Sequence, residues 1–115
     1  MEKDFTKQKE AFAELLDIME TLREKCPWDH KQTMESLRTL SVEEVYVLGD
    51  AILKNDMQEV KKELGDLLMH IVFYALIGKE QEQFDMTDVL NEICAKLRYR
   101  HPHIYGEVKV EDEND

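Results

Sequence analysis

The sequence predicts an all-α domain, a bundle of four main helices joined by short connections. Three observations carry this. Only 4 Gly and 2 Pro interrupt 115 residues, so few positions break a helix. Apolar side chains recur three, four and seven residues apart in several stretches, the period of a helix with one buried face. Nothing alternates with period two over more than a few residues, so no strand is predicted.

The first helix is expected over residues 7–25, where Phe12, Leu15, Leu16, Met19 and Leu22 fall on one face. Lys25-Cys26-Pro27-Trp28-Asp29 stops it, because the residue before a proline avoids the α region. Asp29 is then placed to cap a short helical stretch through Gln32 to Arg38. Ser41 with Glu44 three residues later reads as a capping box that opens a second helix over about 41–54. Lys54-Asn55-Asp56 is a tight turn, with Asn55 as C-terminal cap and Asp56 as N-cap of the next helix. That helix runs over about 57–79, ended by Gly78, and is apolar nearly all round from 67 to 77. Such a segment is a central helix or a subunit interface. A last helix over about 86–100 opens at Asp85 or Thr87 and aligns Val89, Leu90, Ile93 and Leu97. His101-Pro102-His103 terminates it. The tail 107–115 has five acids, one lysine and no apolar periodicity, and is expected to be mobile. The domain is therefore assigned to residues 1–106.

Composition narrows the function classes. At 43% hydrophobic the chain can build a core, which argues against wholesale disorder. With 26 Asp+Glu against 15 Lys+Arg the formal net charge is −11. That disfavours unassisted binding to nucleic acid or to an anionic membrane. It does not disfavour a polyanion that arrives with divalent cations. The charged N-terminus lacks the apolar stretch of a signal peptide, and no run is long enough to span a bilayer. Cys26 and Cys94 stand alone, without metal-ligand spacing, and read as reduced, buried or half-buried thiols. The expected setting is cytoplasmic.

The chemistry concentrates in Glu43-Glu44-Val45-Tyr46-Val47 and in Glu59-Val60-Lys61-Lys62-Glu63-Leu64-Gly65-Asp66. Residues three apart share a helix face, so Glu63 and Asp66 point together. The turn at 54–56 folds their helix back against the one carrying Glu43 and Glu44. Crowded carboxylates repel, which raises their pKa values unless a cation is present. A hard cation with oxygen ligands, most simply Mg²⁺, relieves that repulsion and keeps positions open for water and phosphate. The competing reading is a solvated acidic face, with Glu63 paired to Lys54, Lys61 or Lys62. Di-iron chemistry is a weaker rival: it needs Glu-x-x-His pairs, and His70 follows Glu63 by seven residues. Alone in an apolar run, His70 is read as a core or interface histidine.

Beyond these readings the chain resembles a known family. Lys25-Cys26-Pro27-Trp28-Asp29, Gln32-Thr33 and Ser36-Leu37-Arg38 are similar to the start of MazG-type nucleoside triphosphate pyrophosphohydrolases. The resemblance continues through Glu43-Glu44, Asp50-Ala51-Ile52, Glu63-Leu64-Gly65-Asp66-Leu67-Leu68, Val72-Phe73, Phe84-Asp85 and Lys96-Leu97 to Arg100-His101-Pro102-His103. It covers about residues 8–106, and its specificity lies in the order and spacing of motifs that are individually weak. It implies an all-α pyrophosphatase fold that dimerises through its helices, with tetramers an open possibility. It also implies Mg²⁺-dependent cleavage of (d)NTPs to (d)NMP and pyrophosphate, in nucleotide-pool clean-up, with Mn²⁺ as a substitute cation. The family's motif, E-x-x-E followed by E-x-x-D, falls on Glu44, Glu63 and Asp66, with Glu43 as an extra ligand or as general base.

One position departs from that motif. The second acid of the first pair is due at position 47, which is Val47. A missing carboxylate predicts weaker Mg²⁺ binding and lower turnover. Asp50, one turn on and on the face of Glu43, is the acid placed to compensate in part. The alternative reading is thus a weak or inactive MazG-like domain that binds nucleotide or mainly supports dimerisation; a third is an acidic helical adaptor. Many family members carry a second copy of the domain or a basic extension, so the chain also reads as a shortened form or one half of a longer enzyme. In the enzyme reading, Trp28 stacks on a base and Asp29 accepts from its edge, unless Trp28 instead lids the core. Lys31, Arg38, Arg98 and Arg100 are candidate phosphate contacts. Arg98 and Arg100 equally suit the C-terminal end of a helix.

Overall fold

A computed structural model describes residues 3–106; the acidic tail 107–115 lies outside the described residues. The helices are α1 (Thr6–Lys25), α2 (Pro27–Lys31), α3 (Met34–Leu53), α4 (Met57–Glu80), α5 (Met86–Arg100) and α6 (Pro102–Tyr105). Among the described residues there is no strand, as the sequence predicts. Among the same described residues no helix is long and apolar enough to cross a membrane.

The centre of the fold is the hairpin of α3 and α4. Asn55 takes the left-handed conformation, with φ of 57°, which an asparagine tolerates better than most residues. Asp56 then caps α4 by accepting the Glu59 N–H at 3.2 Å, as expected from its place in the turn. The register of the hairpin is read from Ser41, whose Oγ lies 2.7 Å from His70 Nδ1 and 2.6 Å from Tyr74 Oη. Helix α1 lies along the second half of α4, and Met19, Leu37, Val72, Phe73 and Ile77 form the buried core where α1, α3 and α4 meet. Leu37 and Val72 are the largest side chains removed entirely from water, each worth about 1.5–3 kcal/mol of transfer free energy.

Several boundaries differ from expectation, each for a local reason. Helix α3 begins at Met34, not near 41. Its capping box joins Thr33 and Ser36, each side chain bonding the other's backbone N–H, at 3.0 and 2.8 Å. Ser41 lies inside the helix, its hydroxyl taken up by Leu37 O, His70 and Tyr74. Asp29 does not cap the stretch to Arg38; it sits within α2, and the chain breaks after it at Gln32–Thr33. Gly78 does not end α4, which continues to Glu80. Its missing side chain makes room for Phe84: a Cβ at 78 would run into that ring. Cys26 is half-buried as expected, whereas Cys94 is exposed on α5.

Arg23 ties the short α2 to the bundle. Its Nη1 donates to the carbonyls of Asp29, His30 and Gln32 at 2.7, 3.2 and 2.8 Å. Its Nε and Nη2 grip the Glu80 carboxylate at 2.8 Å each, and the guanidinium carbon lies 5.6 Å from the centre of the Phe73 ring. One side chain thus joins the ends of α1 and α4 to α2, giving the carbonyls at the end of that short helix a charged donor.

Away from this core two apolar stripes face outward. Leu64, Leu68 and Ile71 are exposed along α4, and Leu90, Ile93 and Leu97 along α5. Their spacing of three and four puts each set on one helix face.

Candidate metal centre

The hairpin register carries α3 past α4 so that Glu44 meets Glu63 and Asp66. One carboxylate oxygen from each lies within 4.8 Å of the others. Glu63 and Asp66 come together because they are three apart on α4; Glu44 joins them because it stands one turn after Ser41, which is bonded to His70 one turn after Asp66. Glu63 is 4% exposed, and its Oε2 is buried without a hydrogen-bond partner. Glu44 and Asp66 are half-buried.

Contact with the Glu44 carboxyl and removal from water hold the Glu63 carboxyl above its ordinary range, with Asp66 adding repulsion. Contact with Glu59 opposes the rise. Among the described residues the ion pairs are Arg23–Glu80, Lys54–Asp50 and Lys79–Glu20. None engages the three clustered acids, so Glu63 is not paired to Lys54, Lys61 or Lys62. A buried oxygen without a donor, in an all-oxygen set of three acids, is the donor chemistry of a hard divalent cation. His70 stands outside the set, its Nδ1 held by Ser41, so no Glu-x-x-His site is built.

The other sequence candidates lie elsewhere. Glu43 is exposed beside the cluster and is not one of its three members. Val47 is 42% exposed. Asp50 is committed to Lys54 at 2.9 Å. Trp28 is 57% exposed on α2 and does not lid the core. With Asp29 and Lys31 it sits where Arg23 pins α2 to Glu80, and Glu80 is 17 residues along α4 from Glu63. At 1.5 Å per residue that is about 25 Å along the helix. Arg38 is exposed on α3 beside Met34, Glu35 and Tyr74. Arg98 and Arg100 line an open cleft with Tyr99, Pro102 and Tyr105 at the far end of α5. Within one chain the structure brings together Glu44, Glu63 and Asp66 but not these six.

One contact beside the site escapes the sequence reading. The Ser41–His70–Tyr74 contact has no sequence signal, because its members meet only once the hairpin has formed.

Comparison with known proteins places this geometry. Residues 32–105 match the family model of the MazG nucleotide pyrophosphohydrolase domain. The chain is 46% identical over 98 residues to the nucleoside triphosphate pyrophosphohydrolase/pyrophosphatase MazG of Thermotoga maritima, covering 84% of this chain and 38% of that protein. It is 39% identical over 104 residues to the nucleoside triphosphate pyrophosphohydrolase of Escherichia coli strain K12, covering 88% of this chain and 40% of the relative. The chain thus spans two-fifths or less of these curated relatives. The crystal structure of a mazG-related protein from Thermotoga maritima superposes with a TM-score of 0.76 at 27% identity, covering 89% of this chain and 90% of that one. By sequence and by fold, the chain belongs to the MazG nucleotide pyrophosphohydrolase domain family.

Proposed function

We propose that this chain hydrolyses nucleoside triphosphates to nucleoside monophosphate and pyrophosphate, with Mg²⁺, or Mn²⁺ in its place, held by Glu44, Glu63 and Asp66. The observation that carries this is the buried Glu63 carboxyl, one oxygen of which has no hydrogen-bond partner, clustered with the carboxyls of Glu44 and Asp66. A divalent cation bound there would offset triphosphate charge and polarise the phosphorus under attack. The acids do the holding: Glu63 fixes the inner side, and half-buried Glu44 and Asp66 leave the outer side open to phosphate oxygens. Glu43, exposed at the rim one residue from Glu44, is placed to take a proton from the attacking water.

A homodimer completes the reading. The stripe of Leu64, Leu68 and Ile71 is exposed along α4 and offers a second copy an apolar face next to the acids. Because Trp28, Asp29 and Lys31 lie about 25 Å along α4 from Glu63, a nucleotide at the acids would meet such side chains from the second copy. The free thiols suit a reducing, cytoplasmic setting, and the charge of −11 disfavours nucleic acid as a partner.

Val47 favours a second reading, a nucleotide-binding domain with little turnover, since position 47 brings no oxygen to the acids. The test is product analysis with the common NTPs and dNTPs in Mg²⁺ and in EDTA, alongside sedimentation. Pyrophosphate and monophosphate in equal amounts, only with the cation and from a particle of twice 13.6 kDa, are expected. Release of inorganic phosphate instead would refute the reaction. Saturable binding without products would establish the second reading, and a single-chain mass would remove the dimer.

A further inference from the structure

Three hydrogen bonds converge on the hydroxyl of Ser41, in the interior of α3. Its Oγ lies 3.1 Å from Leu37 O, 2.7 Å from His70 Nδ1 and 2.6 Å from Tyr74 Oη. A hydroxyl has one proton to give and two lone pairs that accept. All three bonds are therefore made together only if Ser41 donates to Leu37 O while His70 Nδ1–H and the Tyr74 O–H both donate to Ser41. His70 is thereby held with a proton on Nδ1, and two bonds that cross from α4 end on one oxygen of α3.

These bonds stand where the α3–α4 seam has little else to hold it. The buried residues of α3 are Leu37 and Ala51, about 21 Å apart along the helix. Between them, among the described residues, Ser41, Glu44 and Leu48 are half-buried and the rest are exposed, so α3 brings little apolar area to this stretch. In the same interval Glu44 meets Glu63 and Asp66, with one carboxylate oxygen of each within 4.8 Å of the others. Without a cation, such crowding pushes α3 away from α4. Ser41 lies one turn before Glu44 and His70 one turn after Asp66, on the same helix faces as those acids. Apolar contact is non-directional and resists sliding weakly, whereas an oxygen held by two donors on one helix fixes both register and separation. We propose that Ser41 is a positioning residue for the cation site: held by His70 and Tyr74, its hydroxyl keeps α3 at the register and distance where Glu44 joins Glu63 and Asp66 before a cation arrives.

The inference rests on the cation reading of the preceding subsection, and Mn²⁺ titration of the full chain without nucleotide, followed by electron paramagnetic resonance, separates the two. Ser41→Ala removes the hydroxyl and suits a helix interior, so its far-UV circular dichroism should stay helical while its melting temperature falls. Its Mn²⁺ dissociation constant should rise about tenfold, the lower end of what is lost with a group that orients metal ligands. Ser41→Thr restores a hydroxyl and should bind Mn²⁺ within about twofold of the unmodified protein. Tyr74→Phe keeps the ring, removes one of the two α4 donors, and should weaken binding about threefold. If Ser41→Ala melts lower yet binds Mn²⁺ as tightly as the unmodified protein, the hydroxyl holds the fold and does not position the acids. Ser41→Thr binding as weakly as Ser41→Ala would overturn the proposal too. In either case loss of Mn²⁺ binding in Glu63→Gln would leave the cation site standing without Ser41. Should Ser41→Ala fail to fold, Tyr74→Phe decides: a raised dissociation constant supports the proposal and an unchanged one overturns it. If Glu63→Gln binds Mn²⁺ normally, the cation reading itself fails.

Discussion

Replacing Glu63 by glutamine is expected to cut pyrophosphate release by about 10²–10³-fold, since a Lewis-acid cation is worth several kcal/mol to such a reaction. The same change should stabilise the metal-free protein. The Glu63 carboxyl is held above its ordinary range, first by contact with Glu44 and then by burial. A raised carboxyl means that the folded chain keeps a proton which the unfolded chain releases. Its contribution is therefore fully present below the ordinary glutamate range and is lost as pH rises through the elevated value. In EDTA the unmodified protein should melt at falling temperatures as pH rises out of the ordinary glutamate range, more steeply than Glu63→Gln. Added Mg²⁺ should raise the melting temperature of the unmodified protein and leave the variant almost unmoved. Parallel melting curves for the two proteins across that range would show that the crowded acids are not under electrostatic stress. The cation site would then lose its physical basis.

How far these features can be read from sequence depends on whether their partners are local. Asp56, Asn55 and Asp85 act on backbone within a few residues, and their caps follow from the residue types alone. The pairing of Glu63 with Asp66 follows from helical spacing, and the turn at 54–56 brings Glu44 to them. The start of α3 was not legible. Ser41-x-x-Glu44 carries the same local signal as a true box, and only the tertiary bonds of Ser41 to His70 and Tyr74 remove it from that role. Gly78 reads as a stop because its use, to accept the Phe84 ring, depends on where the chain returns after α4.

Arg23→Ala is expected to be the largest stability loss outside the core, about 2–4 kcal/mol, or about 10–15 °C in melting temperature for a domain of this size. The pair with Glu80 supplies the smaller share, because the Glu80 side chain is 47% exposed and exposed ion pairs contribute about 1 kcal/mol or less. The larger share comes from the carbonyls of Asp29, His30 and Gln32, which lose a charged donor when the side chain is shortened. Arg23→Lys should recover only part of the loss, since an ammonium cannot hold a carboxylate and three carbonyls at once. The ionic share has its own signature. Arg23 holds the Glu80 carboxyl below its ordinary range, so this contribution is present above the ordinary glutamate range and fades as pH falls through the lowered value. The carbonyl share does not titrate there, so the gap between Arg23→Ala and the unmodified protein should narrow in acid without closing. Since α2 carries Trp28, Asp29 and Lys31, the nucleotide KM should rise. Mn²⁺ affinity should stay the same, because the acids lie about 25 Å away along α4. A variant that loses metal affinity together with α2 would mean that the two ends of α4 act as one unit, and that substrate placement cannot be separated from the cation site.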